Sequence, residues 1–82
     1  MTFRKLNVEP IDIVYDLDGR AYFEWDKRNY HLDNFIRTHH NPWIGGNFPE
    51  YIHGYEADNY YNPLFIELIS DEAVNVYMEV LL

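Results

Sequence analysis

Histidine is the residue type in this chain that most readily suggests metal chemistry. His31, His39, His40 and His53 could serve as metal ligands, with Asp33 as an oxygen donor. Neighbouring residues on a helix point about 100° apart, so His39 and His40 cannot easily share one ion. The chain also has no cysteine and no HxxxH or HExxH spacing. We therefore expect neither a metal site nor a cofactor.

Nucleophilic catalysis lacks a suitable side chain. Ser70 lies beside Asp71 and Glu72, whose charges oppose negative charge developing on a hydroxyl. The Gly45-Gly46 pair is not surrounded by a GxGxxG or GxxxxGK[ST] motif, so a turn explains it. We expect no catalytic residues and a protein that is not an enzyme.

Four carboxylates lie on the two strands of a predicted hairpin. Asp12 and Asp16 are on the first strand, and Glu24 and Asp26 are on the second, with Asp12 opposite Glu24. Alternate strand residues are about 6.6–6.8 Å apart, a spacing comparable to successive phosphates of an extended nucleic acid. We interpret this acidic row as a partner-binding face that imitates nucleic acid. A solvated outer sheet face is the alternative.

The segment 41–63 is the most unusual part of the sequence. It carries six aromatic residues, three prolines and three glycines, and it has neither helical nor strand periodicity. Loops of this length in a small domain are usually functional or disordered, and this one is too aromatic for disorder. We predict an ordered loop with Trp43 and Phe48 as inward anchors.

The second half of this loop combines tyrosines with polar residues. Such a setting favours an exposed amphipathic patch, because tyrosine anchors many protein interfaces. The predicted partner-binding residues of the loop are Tyr55, Glu56, Asp58, Tyr60 and Tyr61.

Two hairpins are predicted from alternation of apolar residues. In the first, residues 11–26, a three-residue loop at 17–19 pairs Ile13 with Phe23, which puts both apolar sets on one face. This loop requires positive φ at Gly19. In the second, residues 64–80, an odd loop at 70–72 aligns Ile66 with Val76. Residues 1–10 are expected to form a partly ordered lead-in.

A third strand is predicted at 29–32, followed by a short helix at 33–40 that Asp33 caps. Leu32, Phe35, Ile36 and His39 share one helical face, and Pro42 prevents continuation. The predicted fold is a single α+β domain over residues 1–82: a small, mostly antiparallel sheet of four to five strands, one helix on one face, and the long loop. The predicted core comprises Ile11, Ile13, Tyr15, Ala21, Phe23, Trp25, Leu32, Phe35, Ile36, Leu64, Ile66, Leu68, Val74, Val76 and Met78.

Charge constrains the class of partner. Fourteen acidic residues and six Lys or Arg give a formal charge of −8, and aromatic residues make up 18% of the chain. Nucleic acid and anionic membranes require clustered cations, so we expect neither as a direct partner. A basic protein surface is favoured instead. The chain has no cysteine and no stretch of about 18 apolar residues, so we expect a cytoplasmic protein.

In size and acidity the chain is similar to small inhibitors encoded by phages and mobile elements, and to immunity proteins that neutralise nucleases. This similarity of composition implies a non-enzymatic inhibitor of the anti-CRISPR, anti-restriction or nuclease-immunity type, which occludes a nucleic-acid channel. Two alternatives remain open at this point. One is a self-associating module, such as a homodimer, that uses the loop and strand edges. The other is a small-ligand-binding domain.

Overall fold

The structure is a computed structural model that describes residues 2–37 and 48–81, which form nine strands and one 3₁₀ turn. The strands are β1 Thr2–Lys5, β2 Ile11–Asp12, β3 Val14–Tyr15, β4 Ala21–Trp25, β5 Arg28–His31, β6 Phe35–Arg37, β7 Gly54–Glu56, β8 Phe65–Ser70 and β9 Ala73–Val80. The fold is nearly all β, so the predicted α+β class is wrong.

The strands form two antiparallel sheets. The large sheet has the order β1-β9-β8-β7-β6, with β2 also paired to β9. The small sheet has the order β3-β4-β5. The long hairpin β8–β9 lies at the centre of the large sheet, and short strands surround it.

The first hairpin has the predicted register. Val14 pairs with Tyr22, and the Asp16 N–H donates to the Arg20 carbonyl oxygen at 3.0 Å. Gly19 has a φ of 77°, a left-handed conformation that glycine adopts without a Cβ clash. The third strand is also present, as β5, after a two-residue turn in which Asp26 and Lys27 both have positive φ.

The strand predicted to start at residue 11 is divided between the two sheets. Asp12 pairs with Ala73 of the large sheet, and the Ile13 N–H donates to the Glu72 carbonyl oxygen at 2.8 Å. Pairing with β4 begins only at Val14. The chain therefore crosses from one sheet to the other at Ile13.

The predicted helix at 33–40 is not formed in its described part. Leu32–Asn34 make one 3₁₀ turn, and Phe35–Arg37 form β6, which pairs with β7. Asp33 does not cap a helix and instead binds Arg20. A helix of two turns has little intrinsic stability, so pairing with an available strand prevails. Residues 38–40 lie outside the described part. No helix in the described ranges has the length and apolar character needed to cross a membrane.

The second hairpin aligns as predicted, with Ile66 opposite Val76 and Leu68 opposite Val74. A bulge between Leu68 and Ser70 precedes the turn. The predicted lead-in is instead partly a strand, because Thr2–Lys5 pair with the second half of β9. The sequence pattern did not reveal β1, because Phe3 is the only apolar residue of this strand and polar residues flank it.

The predicted loop 41–63 contains a strand. Gly54–Glu56 form β7 against β8, and Gly54 allows close approach, since a Cβ there would lie 3.3 Å from the Ile36 carbonyl oxygen. Phe48 is half-buried and packs against Phe65, as expected of an inward anchor. Trp43 lies outside the described residues.

The β8–β9 hairpin is packed on both of its faces. One face packs against the small sheet in a cluster of Phe23, Leu64, Ile66, Val74 and Val76. The other carries a second cluster, formed by Ile52, Tyr55 and Phe65 with Phe3, Phe48 and Tyr77 around them. Of this second cluster, only Phe48 was predicted from the sequence to point inward, because one face of the sheet was expected to be exposed.

Three predicted core residues are substantially exposed. Tyr15 is 66% exposed, Ile36 45% and Leu68 41%. Ile36 alternates with the inward Phe35 once this segment is a strand rather than a helix. Tyr15 and Leu68 have the predicted strand registers and are nevertheless exposed.

Candidate functional site

Tyr60 and Tyr61 project from the turn between β7 and β8. The Asn59 side chain closes this turn: its Nδ2 donates to the Asn62 carbonyl oxygen at 2.8 Å, and its Oδ1 accepts from the Asn62 N–H at 3.1 Å. Tyr60 is 68% exposed and Tyr61 94%. Their rings meet edge to face with centroids 5.3 Å apart. The turn thus presents two aromatic rings to solvent on a hydrogen-bonded support.

Glu56 and Ala57 fix the base of this turn. Glu56 donates its N–H to the Leu64 carbonyl oxygen, and its carboxylate Oε1 accepts the Leu64 N–H at 2.9 Å. The Ala57 N–H donates to the Asn34 carbonyl oxygen. The Glu56 carboxylate is therefore a structural support, whereas Asp58 is exposed beside the tyrosines.

Tyr55 does not belong to this exposed patch. It is only 2% exposed, and its ring packs 6.3 Å from Phe65 and 6.4 Å from Phe48. Strand alternation in β7 directs Tyr55 to the second core cluster, while its neighbours Gly54 and Glu56 take the other face. The sequence reading treated this stretch as a loop and so could not assign its faces.

Asp16, assigned to the acidic row, organises the first hairpin. Its Oδ1 accepts the N–H groups of Asp18 and Arg20, each at 2.9 Å, and its Oδ2 lies 3.0 Å from His31 Nε2. The Arg20 N–H bond and, second, the His31 side chain hold the pKa of Asp16 below its usual value. This carboxylate is engaged within the fold.

A bidentate pair adjoins this hairpin. Arg20 Nε and Nη2 donate to the two carboxylate oxygens of Asp33, each at 2.8 Å. These bonds lower the pKa of Asp33 and raise that of Arg20. The pair connects the hairpin loop to the 3₁₀ turn that follows β5.

The four residues of the acidic row are divided among different settings. Asp12 pairs with Ala73 rather than with Glu24, and Asp26 lies in the β4–β5 turn with a φ of 51°. Asp12, Glu24 and Asp26 are exposed, while Asp16 is half-buried. The structure therefore keeps three exposed carboxylates but forms no continuous ladder of four.

A shallow pocket of about 140 Å³ lies between β5 and the β6–β7 pair. Its lining includes Arg28, Tyr30, Glu56 and Asp58, and the Arg28 guanidinium lies 5.6 Å from the centre of the Tyr30 ring. The pocket adjoins the base of the tyrosine turn. It is smaller than the roughly 300 Å³ at which small-molecule sites begin.

Histidine chemistry is limited in the described ranges. His31 contacts Asp16, and His53 Nδ1 accepts the Leu68 N–H at 2.8 Å. Residues 2–37 and 48–81 contain no group of three His, Cys, Asp or Glu side chains arranged to hold a metal. His39 and His40 lie outside these ranges.

Sequence reasoning missed a buried polar network on the second face of β9. Asn7 Nδ2 donates to Asn75 Oδ1 at 2.8 Å, and Glu67 Oε1 accepts from both Asn75 Nδ2 and the Tyr77 hydroxyl, each at 2.8 Å. Burial and the Glu67 carboxylate raise the pKa of Tyr77 to about 12. The sequence could have indicated Asn75 as part of this network, because it is a polar residue between two core valines. Nothing in the sequence singles out Asn7.

No family model, no curated protein and no solved structure matches the chain.

Proposed function

We propose that this protein is a non-enzymatic acidic binding protein that docks on a basic, nucleic-acid-handling protein and occludes its nucleic-acid channel. The observation that carries the proposal is the exposed Tyr60–Tyr61 pair, held beside Asp58 on a turn closed by Asn59. Tyrosines in such a position can anchor an interface at low conformational cost, since the turn already orders their backbone.

Charge supports the class of partner. The formal charge of −8 attracts a basic surface, and the exposed Asp12, Glu24 and Asp26 contribute to this field. Such steering acts mainly on the association rate, while the anchored rings determine how slowly the complex dissociates. A Lys- and Arg-lined channel that binds phosphates is the protein surface that best complements this combination.

The two alternatives receive less support. Lys and Arg occur on strands at the rim of the sheets, Arg4 and Lys5 on β1, Arg28 on β5 and Arg37 on β6, where positive charge opposes edge-to-edge pairing. A self-associating module is therefore disfavoured. The pocket beside Arg28 is smaller than most small-molecule sites, which disfavours a small-ligand site there.

The proposal places the protein in the cytoplasm, where its partner would handle nucleic acid. A chain without cysteine is compatible with that reducing compartment. The similarity in size and acidity to phage and mobile-element inhibitors, and to nuclease-immunity proteins, supports an inhibitory rather than an activating role.

Capture followed by competition tests this proposal. The tagged protein would be used to capture partners from an extract of its native source, beside a matched double variant, Tyr60→Ala/Tyr61→Ala. A protein captured by the parent and lost with the variant would then be titrated with labelled DNA or RNA. We expect the parent to displace the nucleic acid. Capture of no nucleic-acid-binding protein, or undiminished nucleic-acid binding in the complex, would contradict the proposal.

A further inference from the structure

The first hairpin extends beyond the end of the large sheet. The strand that begins at Ile11 runs antiparallel to β9, so it advances toward the turn formed by Asp71 and Glu72. Ile13 already bonds to Glu72, the residue before β9. Tyr15 lies about 7 Å further along the strand, and the hairpin loop lies beyond it. The Ile13–Glu72 bond therefore holds the start of the first hairpin beside the turn of the second.

Apolar side chains are exposed at this end. Tyr15 and Leu68 have core-facing registers, yet they are 66% and 41% exposed. Leu17 in the hairpin loop is fully exposed, and Ile69 at the β8 bulge is 47% exposed. We call these four residues, Tyr15, Leu17, Leu68 and Ile69, the open-end patch.

Acidic residues border the open-end patch. Asp18 occupies the hairpin loop, and Asp71 and Glu72 occupy the β8–β9 turn; all three are exposed. Arg20, the cation nearest in sequence to the patch, is bound through two hydrogen bonds to Asp33. Lys27 follows the opposite end of β4. An apolar centre with a charged border is the usual composition of a protein-binding surface.

We propose that the open-end patch is a second docking surface, for a short segment of another protein that carries apolar side chains flanked by Lys or Arg. Charge complementarity with Asp18, Asp71 and Glu72 selects this partner. A second copy of this chain is disfavoured, because a two-fold contact would bring the same acidic borders together. The patch lies at the opposite end of β8 from Tyr60 and Tyr61, so this inference does not depend on the proposed function.

Backbone amide chemical shifts of the full chain would test the site. The probe is an eight-residue peptide that alternates Leu and Lys, with a Ser–Lys peptide and a Leu–Glu peptide as controls. We expect saturable shifts at residues 14–21 and 67–73 with the Leu–Lys peptide only. Equal binding of the Ser–Lys peptide would show that charge alone is responsible, and would overturn the proposal.

Variants identify the contact. Leu17→Ser/Ile69→Ser should weaken binding of the Leu–Lys peptide by about tenfold or more, because both aliphatic groups leave the interface. Asp71→Lys/Glu72→Lys should weaken it mainly at low salt. Val8→Ser, at a 93% exposed site elsewhere, is the matched control and should bind as the parent does. No shifts, shifts concentrated at 57–62, or undiminished binding by the serine variant would each refute the assignment. The dispersion of each spectrum reports whether that variant is folded.

Discussion

At the scale of single residues, Asn7 shows how a side chain completes a sheet. Its Oδ1 accepts the Val76 N–H at 2.9 Å, and its Nδ2 reaches Asn75 Oδ1 and the Glu9 carbonyl oxygen. These bonds occupy the gap between β1 and β2 along one edge of β9. The Asn7 side chain thus bonds to a β9 backbone group that would pair with the partner backbone if β1 and β2 were one continuous strand.

Asn7→Ala should therefore destabilise the protein by about 2 kcal/mol, since it leaves the buried Val76 N–H and Asn75 amide without these partners. Urea unfolding followed by circular dichroism measures the change. Asn29→Ala, at an exposed position of β5, is the control and should cost less than about 0.5 kcal/mol. Equal destabilisation by the two changes would show that the Asn7 bonds add nothing.

Tyr77 gives the fold a dependence on alkaline pH. Its pKa is about 12 in the folded protein, against an ordinary value of 10.0. Between these values the unfolded phenol ionises while the folded one stays neutral, so the stability contributed by Tyr77 falls as pH rises. Below pH 10 the contribution is fully present.

Urea unfolding of the parent and Tyr77→Phe at pH 9 through 12 checks this sign. The parent should lose stability more steeply than the variant across this range, because the variant lacks the ionising group. The other tyrosines are common to both proteins and cancel in the comparison. Parallel curves would contradict the assignment.

At the scale of elements, the features that could be predicted were the hairpin registers and loop type, which residues close together in the sequence specify. The parity of apolar residues specified the registers of both hairpins, since a slip of one residue would invert every side chain. Asp18-Gly19 specified the type of loop. Asp16 adds to this through its bonds to the Asp18 and Arg20 N–H groups, which sequence alone did not reveal.

Gly19→Ala should destabilise the hairpin by about 1–2 kcal/mol, because alanine adopts the positive φ of this position only at a cost. Crowding should add nothing, since no neighbouring atom lies within 4 Å of an added Cβ. Gly19→Asn should cost less, because asparagine tolerates this conformation better. Thermal melts of the two variants separate strain from crowding. An asparagine variant as unstable as the alanine variant would argue against backbone strain as the cause.

Strand pairing between segments distant in the sequence accounts for the incorrect predictions of the helix and the loop. The segment from Leu32 to Arg37 has a helical pattern, yet Phe35 and Ile36 pair with β7, a strand that lay hidden in the predicted loop. The burial of Tyr55 likewise depends on β7, through its pairing with β8. Sequence periodicity cannot anticipate a partner whose own strand is only three residues long.

At the scale of the whole molecule, the candidate sites lie at opposite ends of the central hairpin. The tyrosine turn precedes β8, and the open-end patch follows it. Sequence composition alone indicated the exposed tyrosines, because Tyr60 and Tyr61 lie among Asp and Asn residues. It could not indicate the open-end patch, because its four residues come from two hairpins that only the folded structure brings together.

The measurement that tests the central claim most directly is the affinity of a captured basic partner for the parent and for Tyr60→Ala/Tyr61→Ala. Both rings are largely exposed, so the double variant should change the free energy of unfolding by less than about 1 kcal/mol. We expect its dissociation constant to rise by tenfold or more, or about 1.4 kcal/mol, mainly through faster dissociation. A folded double variant that binds the partner as tightly as the parent would contradict the account.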